Sequence, residues 1–133
     1  MASDLSAYFG NKIVRWLNGN AMPTAPVGLY IGIYDGNPKT TGTDKSAVFS
    51  TARMACPFNA VASGVDHLLT SSAAVDFGDS LAAGSLSHIA VFDAIAGNLL
   101  ASKAIAGGPV VIQVGTGIKF LAGAITLNIG SDT

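Results

Sequence analysis

The stretch from Leu86 to Leu100 constrains the fold more than any other part of this 133-residue chain. Its residues alternate between two faces, with His88, Ala90 and Phe92 on one and Ile89 and Val91 on the other. A period of two, rich in β-branched and aromatic residues, is typical of a β-strand. A turn begins at an aspartate and ends in Gly-Asn, and a second apolar run follows it. The stretch therefore predicts a β-hairpin near the middle of a sheet.

An earlier segment repeats this pattern. The order Ile31-Gly32-Ile33-Tyr34-Asp35 matches Ile89-Ala90-Val91-Phe92-Asp93, and each copy ends in an aspartate that can bond nearby backbone. We interpret the two copies as central strands of one β-sandwich. The first strand is expected over Val27–Tyr34, with Tyr30 and Tyr34 opposite Ile31 and Ile33. The glycines beside these tyrosines leave room for a neighbouring side chain or backbone.

Further short strands, joined by polar turns, are predicted along the rest of the chain. They are expected in Ala47–Phe58, Leu68–Phe77, Val110–Val114 and Ile118–Ile129, with a connection over Asn59–His67 and a bulge or close approach at Gly123. About seven or eight evenly spaced strands predict a mainly all-β fold, antiparallel and of β-sandwich or jelly-roll type. The chain has no Glu, a residue that favours helices, and its length fits a single domain over residues 1–133.

Ser3 to Asn18 is the one segment with a convincing helical pattern. Ser3 would cap the helix, Asp4 would lie in its first turn and Gly19 would follow its end. The apolar residues fall at helical spacing on one face: Leu5, Tyr8, Phe9, Ile13, Trp16 and Leu17. Residues 1–19 are thus expected to form an N-terminal amphipathic helix.

The aromatic residues of this helix are candidates for a subunit interface. Two interpretations remain open: the helix packs on its own sandwich as a lid, or it docks against a neighbouring subunit. Tyr8, Phe9 and Trp16 are of the residue types that anchor interfaces. Tyr30 and Tyr34 of the first strand complete the candidate set.

The composition bears on this choice. Charged residues make up 11% of the chain and hydrophobic residues 50%, whereas about 25% charged residues are usual. Because a free monomer normally covers itself with charged side chains, we expect other subunits of a homo-oligomer, for example a trimer, to cover much of the surface. The alternative is a monomer coated with Ser, Thr, Ala and Gly.

Several classes of function have no support in the sequence. A net charge of −1 gives no electrostatic case for binding nucleic acid or an anionic membrane. No apolar run approaches the roughly 18–20 residues that span a bilayer, so membrane insertion is not expected. The N-terminus shows no secretory pattern. The single cysteine, Cys56, excludes an internal disulfide and is expected to be a small buried apolar residue.

No set of residues in the sequence points to catalysis or to a metal. Gly115-Thr116-Gly117 lacks the lysine of a phosphate loop and predicts a hairpin turn. The histidines and the cysteine are scattered, and the acids of the polar loop over residues 35–46 lack the spacing of a calcium loop. Asp66-His67 and Ser87-His88 are neighbours on strands, so we expect each pair to point to opposite faces and to form no relay. We therefore predict a non-enzymatic protein without cofactor or metal.

Several segments, in order, resemble one known family. The helix is followed by Pro26-Val27-Gly28-Leu29-Tyr30-Ile31-Gly32-Ile33-Tyr34-Asp35 and a Gly/Thr loop, and later by Ala52-Arg53, Ala73–Phe77, Ser87–Asp93, Gly97–Leu100 and Phe120–Leu127. Together they are similar to small virion proteins of tailed bacteriophages that are commonly labelled tail fibre proteins. The resemblance spans nearly the whole chain, and its departures, in Ala47–Pro57 and at Pro109, concern local loop geometry.

This resemblance implies a structural subunit on the surface of a tailed-phage virion, synthesised in the bacterial cytoplasm. It would act as a tail-fibre or tail-associated adhesion module, with other virion proteins as partners and a host-surface glycan left open as a further one. One alternative is a capsid decoration protein that stabilises the head. A second alternative is a carbohydrate-binding module, in which exposed Tyr30, Tyr34 or Trp16 would stack on sugar rings.

Overall fold

The computed structural model describes residues 4–26, 28–49, 53–63, 66–95, 97–105 and 107–131. This part of the chain contains one α-helix, one 3-10 helix and twelve strands. In chain order they are α1 Ala7–Leu17, β1 Tyr30–Asp35, β2 Thr43–Asp44, the 3-10 helix Ser46–Phe49, β3 Met54–Ala55, β4 Phe58–Ser63, β5 Asp66–Ser71, β6 Val75–Asp79, β7 Gly84–Leu86, β8 His88–Phe92, β9 Leu99–Ala104, β10 Val110–Ile112, β11 Gly117–Phe120 and β12 Thr126–Ser131. The strand pairs are antiparallel. The predicted mainly all-β antiparallel fold with one helix near the N-terminus is confirmed.

The two repeated segments of the sequence pair directly with each other. β1 and β8 are neighbours in a sheet of order β2-β1-β8-β9, with β3 also on β1, and their register places Ile31 opposite Val91 and Ile33 opposite Ile89. Their position as central strands is therefore confirmed. The hairpin from β8 to β9 is confirmed as well, because Oδ1 of Asp93 accepts from the amide of Asn98 at 2.7 Å.

Three smaller sheets close around the same core. Their orders are β10-β7, β11-β6 and β12-β5-β4. Each sheet contributes buried apolar side chains to one cluster: Ile31, Ile33, Phe49, Cys56, Val75, Phe77, Leu86, Ile89, Val91, Ala101, Ile112, Ile125 and Leu127. Phe77 lies at its aromatic centre, with ring centroids 6.0 Å from Phe49 and 6.4 Å from Phe120 in edge-to-face geometry.

Two strands that the sequence pattern predicted as continuous are interrupted. The expected strand over Leu68–Phe77 is divided into β5 and β6, and that over Ile118–Ile129 into β11 and β12. The two breaks are next to each other in the fold. The amide of Gly123, in the break between β11 and β12, donates to the carbonyl of Ser71, at the end of β5, at 2.8 Å. β5 pairs with β12 and β6 with β11, in different sheets. The prediction was wrong here because a chain can change sheets at a bend while keeping its apolar alternation.

Other element boundaries also differ from the prediction. The expected connection over Asn59–His67 mostly consists of paired residues of β4 and β5, and residues 64–65 lie outside the described part. The polar loop over residues 35–46 contains β2, and the 3-10 helix begins the segment Ala47–Phe58. β10 ends at Ile112 rather than Val114. The start of the first strand, Val27, lies outside the described residues.

Two glycines show why turns occur at these places. Gly115 has a φ of +89°, and the amide of Gln113 donates to Oγ1 of Thr116 at 3.0 Å, which confirms the predicted turn. Gly123 has a φ of +82° and lies in the turn between β11 and β12 rather than at a bulge. L-residues rarely adopt these backbone angles, whereas glycine does so without a Cβ clash.

The helix is shorter than the sequence predicted. α1 begins at Ala7, and its N-cap is Ser6, whose side chain accepts from the amide of Phe9 at 3.1 Å. Asp4 does not lie in the first turn, because its amide donates to the carbonyl of Asn128 in β12. Ser3, the predicted cap, lies outside the described residues, and Gly19 follows the helix end as predicted, with a φ of +93°.

Cys56 belongs to the core, with 1% of its surface exposed, as expected from the sequence. Burial raises the pKa of the Cys56 thiol above its ordinary value of 9.0, because removal from water disfavours the thiolate. The reactive form is therefore disfavoured in the folded protein.

We expect Leu86→Ala to lower the free energy of unfolding by about 2–5 kcal/mol, because it leaves a cavity at a fully buried site where two sheets meet. Leu81, five residues earlier and exposed, is the matched control. Leu81→Ala should change the free energy of unfolding by less than about 0.5 kcal/mol. Urea unfolding followed by circular dichroism measures both. Equal losses for the two variants would contradict this core.

We expect Cys56 in the folded protein to react with an aromatic disulfide reagent on the order of 100-fold more slowly than in the guanidinium-unfolded chain. Since the folded pKa is the higher one, the unfolded thiol ionises first, and stability should fall as the pH rises past about 9. Absorbance at pH 8 measures the reaction rate, and Cys56→Ala is the control for the pH dependence. Similar rates in the two states would show that the thiol is accessible.

Candidate functional site

The first described residues join the edges of two sheets and fix the start of the helix. The amide of Asp4 donates to the carbonyl of Asn128 in β12 at 2.9 Å, and Oδ2 of Asp4 accepts from the amide of Asn128 at 2.7 Å. Two more hydrogen bonds join these residues to β9. The amide of Ser6 donates to the carbonyl of Leu100 at 2.7 Å, and the amide of Ser102 donates to the carbonyl of Asp4 at 2.9 Å. We call residues 4–6 the helix root. It holds α1 against β9 by main-chain hydrogen bonds.

The far end of the helix is exposed. No residue of α1 is buried, and Trp16 and Leu17 expose 55% and 73% of their surface. Val14 beside them is also exposed. We call these three residues the helix tip. The predicted helical face is therefore divided: the root lies on the sheets of its own chain, and the tip faces away from them.

An apolar groove lies between the helix and the sheets. Its volume is about 400 Å³, and its floor is formed by the buried side chains of Val91, Ala101 and Leu127. Tyr8 and Phe9 of α1, both half-buried, line one wall. The floor thus belongs to the core, while one wall consists of residues that the sequence analysis had assigned to an interface.

The opposite wall of the groove comes from elements far apart in the sequence. It includes the linker over residues 22–26 and the half-buried Leu29, Leu69 and Leu100. Asp93 is the one charged residue among the described residues that line the groove. Sequence reasoning missed the groove as a unit, because no local pattern connects a proline-containing linker to strands β5, β8, β9 and β12.

Tyr30 and Tyr34 lie on a different surface from the helical aromatics. They share the face of β1 that lies opposite Ile31 and Ile33, and both are half-buried. Tyr34 stacks on Phe92, with ring centroids 6.2 Å apart. The five candidate interface residues are therefore not brought together in one patch.

Arg53 covers this second surface. Its guanidinium carbon lies 3.4 Å from the centroid of the Phe92 ring, and its Nη1 donates to the carbonyl of Ile95 at 2.8 Å. Nη2 is 3.4 Å from the hydroxyl of Tyr34 and 3.3 Å from Oδ2 of Asp44. The expected close approach at a glycine of β1 is observed at Gly32, where a Cβ would lie 3.3 Å from Cγ of Arg53. The rare charge in this apolar segment was visible in the sequence, but its distant partners were not.

The aromatic side chains do not form an exposed row. All ten Phe, Tyr and Trp residues are described, and Trp16 is the one among them that is classed as exposed. Glycan binding by stacking generally uses accessible aromatic faces, and here Tyr34 is engaged with Phe92 and Arg53.

Ser87 and His88 contact each other, contrary to the expectation that they point to opposite faces. Oγ of Ser87, the residue between β7 and β8, lies 2.8 Å from Nδ1 of His88. The same hydroxyl accepts from the amide of Gly36 at 2.7 Å. The pair thus links the start of β8 to the turn after β1. The side chain of His67 lies outside the described part of the chain.

The described residues also bear on metal binding and on membrane crossing. No group of three or more His, Cys, Asp or Glu side chains lies close enough there to hold a metal ion. None of the helices in that part of the chain is long and apolar enough to cross a membrane.

Comparison with known proteins identifies the family. The family model described as "Podophage GP4 fiber I protein gp80" matches residues 4–128, from the helix root to β12. A comparison with curated proteins finds no match. The family match confirms the resemblance to phage tail fibre proteins that the sequence motifs indicated. The chain therefore belongs to the podophage GP4 fiber I protein gp80 family, a family of bacteriophage fibre proteins.

Proposed function

We propose that this chain is a non-enzymatic structural module of a phage fibre that assembles with further copies of itself and contributes to adhesion at the host surface. The observation that carries the proposal is the helix tip. Trp16 and Leu17 are large apolar side chains held in water at the end of a helix whose root is fixed. Exposed apolar groups of this size on a rigid element are typical of protein–protein contacts.

The composition supports assembly over an isolated monomer. The chain has 7 basic and 8 acidic residues in 133, so few charges solvate its exterior and little net charge keeps copies apart. An apolar side chain that moves from water into an interface contributes about 25 cal/mol per Å² of buried area. A tryptophan buries about 150–250 Å² when it is fully covered, and Trp16 has 55% of its surface left to bury, so it can still contribute a substantial part of the binding energy of one contact.

Membership in a fibre family favours a fibre position over a capsid decoration role. The burial of Tyr30 and Tyr34 offers no support for a carbohydrate-binding module built on stacked aromatics. Adhesion would therefore depend on the shape of the assembled surface rather than on a row of sugar-stacking rings.

We expect Trp16→Ala and Leu17→Ala to weaken self-association at least about 10-fold while lowering the melting temperature by only a few degrees. The reason is that both side chains lie mostly in water in the single chain and lose contacts chiefly in the assembly. Sedimentation velocity over a concentration series measures association, and calorimetry measures melting. A large fall in melting temperature with unchanged association would instead assign the tip to the fold of its own chain.

Leu121→Ala is the matched control for Leu17→Ala. Leu121 exposes 64% of its surface in the turn after β11 and does not line the groove. If exposed leucines promoted association without specificity, Leu121→Ala would weaken it as much as Leu17→Ala. We expect no change for the control.

We also expect antibodies raised against this chain to label the fibres of intact phage particles. Gold-labelled antibody and electron microscopy measure the position, and particles without fibres are the control. Label distributed over the faces of the capsid would contradict the fibre assignment and favour a decoration role.

A further inference from the structure

We propose that the apolar groove receives the helix tip of a second copy of this chain, in a head-to-tail contact. This inference rests on the proposed function, since both require self-assembly, and it adds which two surfaces meet. The tip and the groove are different surfaces of one molecule. Each copy therefore offers one surface to the copy ahead and the other to the copy behind.

The tip and the groove match in chemistry. The groove has an apolar floor of Val91, Ala101 and Leu127 and a volume of about 400 Å³. This lies within the range of about 300–1,000 Å³ for clefts that bury small ligands, and it is sufficient for one or two large side chains. Trp16 and Leu17 are adjacent on the last turn of α1 and provide such side chains. An aromatic anchor in an apolar pocket is the usual centre of a protein interface.

The charges of the two surfaces are complementary. Lys12 and Arg15 are the charged residues of α1, and Arg15 lies directly beside Trp16. Asp93 is the one charged residue among the described residues lining the groove. Oδ1 of Asp93 accepts from the main-chain amide of Asn98 at 2.7 Å. Lys12 lies over the ring of Tyr8, 5.3 Å from its centroid, so Arg15 is the cation beside the tip, and it is suited to a groove that carries an anion.

A chain cannot fill its own groove with its own tip. Tyr8 and Phe9 of the first helical turns line the groove, and Trp16 lies eight residues beyond Tyr8, about 12 Å further along the axis. The helix root prevents α1 from sliding back, because main-chain hydrogen bonds hold residues 4–6 to β9 and β12. The occupant must therefore come from another copy.

Contacts between two different surfaces have a consequence for assembly. A self-complementary contact stops at a dimer, whereas a tip-to-groove contact continues until it closes into a ring or extends as a filament. Either result is compatible with a fibre module. It also gives an experimental signature, because tip variants and groove variants should complement each other.

The test uses the full chain with one variant of each surface. Trp16→Ala removes the tip anchor and leaves the groove intact. Ala25→Arg places a long cationic side chain on the exposed linker that lines the groove and leaves the tip intact. Each variant alone should raise the dissociation constant at least about 10-fold, as expected for loss of an interface hot spot. Ala122→Arg, at an exposed alanine in the turn after β11, is the control and should assemble normally.

The decisive measurement is an equimolar mixture of Trp16→Ala and Ala25→Arg. The mixture retains one intact tip and one intact groove, so it should form a 1:1 complex with the affinity of a single wild-type contact and no larger species. Sedimentation and native mass spectrometry, with one variant isotopically labelled, measure this. Leu100→Ala, which enlarges the groove without adding charge, is a second groove variant and should also weaken association.

Three results would overturn the proposal, and they separate it from the proposed function. If Ala25→Arg and Leu100→Ala assemble normally while Trp16→Ala does not, the tip binds another surface. If the two variants fail to complement, the contact is tip-to-tip or joins the tip to another surface of the second copy. In both cases self-assembly through the helix still stands. If the wild-type chain stays monomeric at high concentration, the proposed self-assembly fails together with this inference.

Discussion

The antiparallel pairing of β1 and β8 is the contact on which the rest of the structure depends. On one face it places Ile31, Ile33, Ile89 and Val91 into the core, where each is buried. The side chains of strands alternate, so the same pair also presents an outward face with Phe92 and the two tyrosines. A central pair of strands in a charge-poor protein has to be covered on both faces, and each cover comes from a different part of the chain.

The outward face is covered by one arginine. The guanidinium of Arg53 lies flat enough on Phe92 to approach within 3.4 Å of the ring centroid, and it also reaches the carbonyl of Ile95, the Tyr34 hydroxyl and the carboxylate of Asp44. Arginine is suited to this position because a planar, weakly hydrated cation can stack on an aromatic ring while donating hydrogen bonds at its edge. Gly32 makes room for it, since a Cβ there would lie within 3.4 Å of three neighbouring side chains.

The helix root fixes one short helix to the fold, and the helix tip is the part that we propose serves assembly. The hydrogen bonds of residues 4–6 place the start of α1 on β9 and β12, which lie at the edges of different sheets. This removes two exposed edges that would otherwise be free to pair with other chains. Beyond the first turn, the helix has few contacts with its own chain and keeps Trp16 and Leu17 in water. The packing on the chain's own sheets is thus observed for the root, and docking through the tip remains our proposal.

The sequence by itself determined the class of fold and its centre. Strict alternation over Ile31–Asp35 and Ile89–Asp93, with an aspartate at each end, identified the two central strands because a period of two is a property of local backbone geometry. The helix and its aromatic residues were likewise visible, since their spacing is also local. Only the tertiary structure decided where strands change sheets, where the helix begins and which aromatics share a surface. These depend on contacts between residues far apart in the chain, such as Asp4 with Asn128, Ser71 with Gly123 and Arg53 with Ile95. A residue's pattern with its neighbours carries no information about such distant partners, so the groove and the separation of root from tip emerged only from the folded chain.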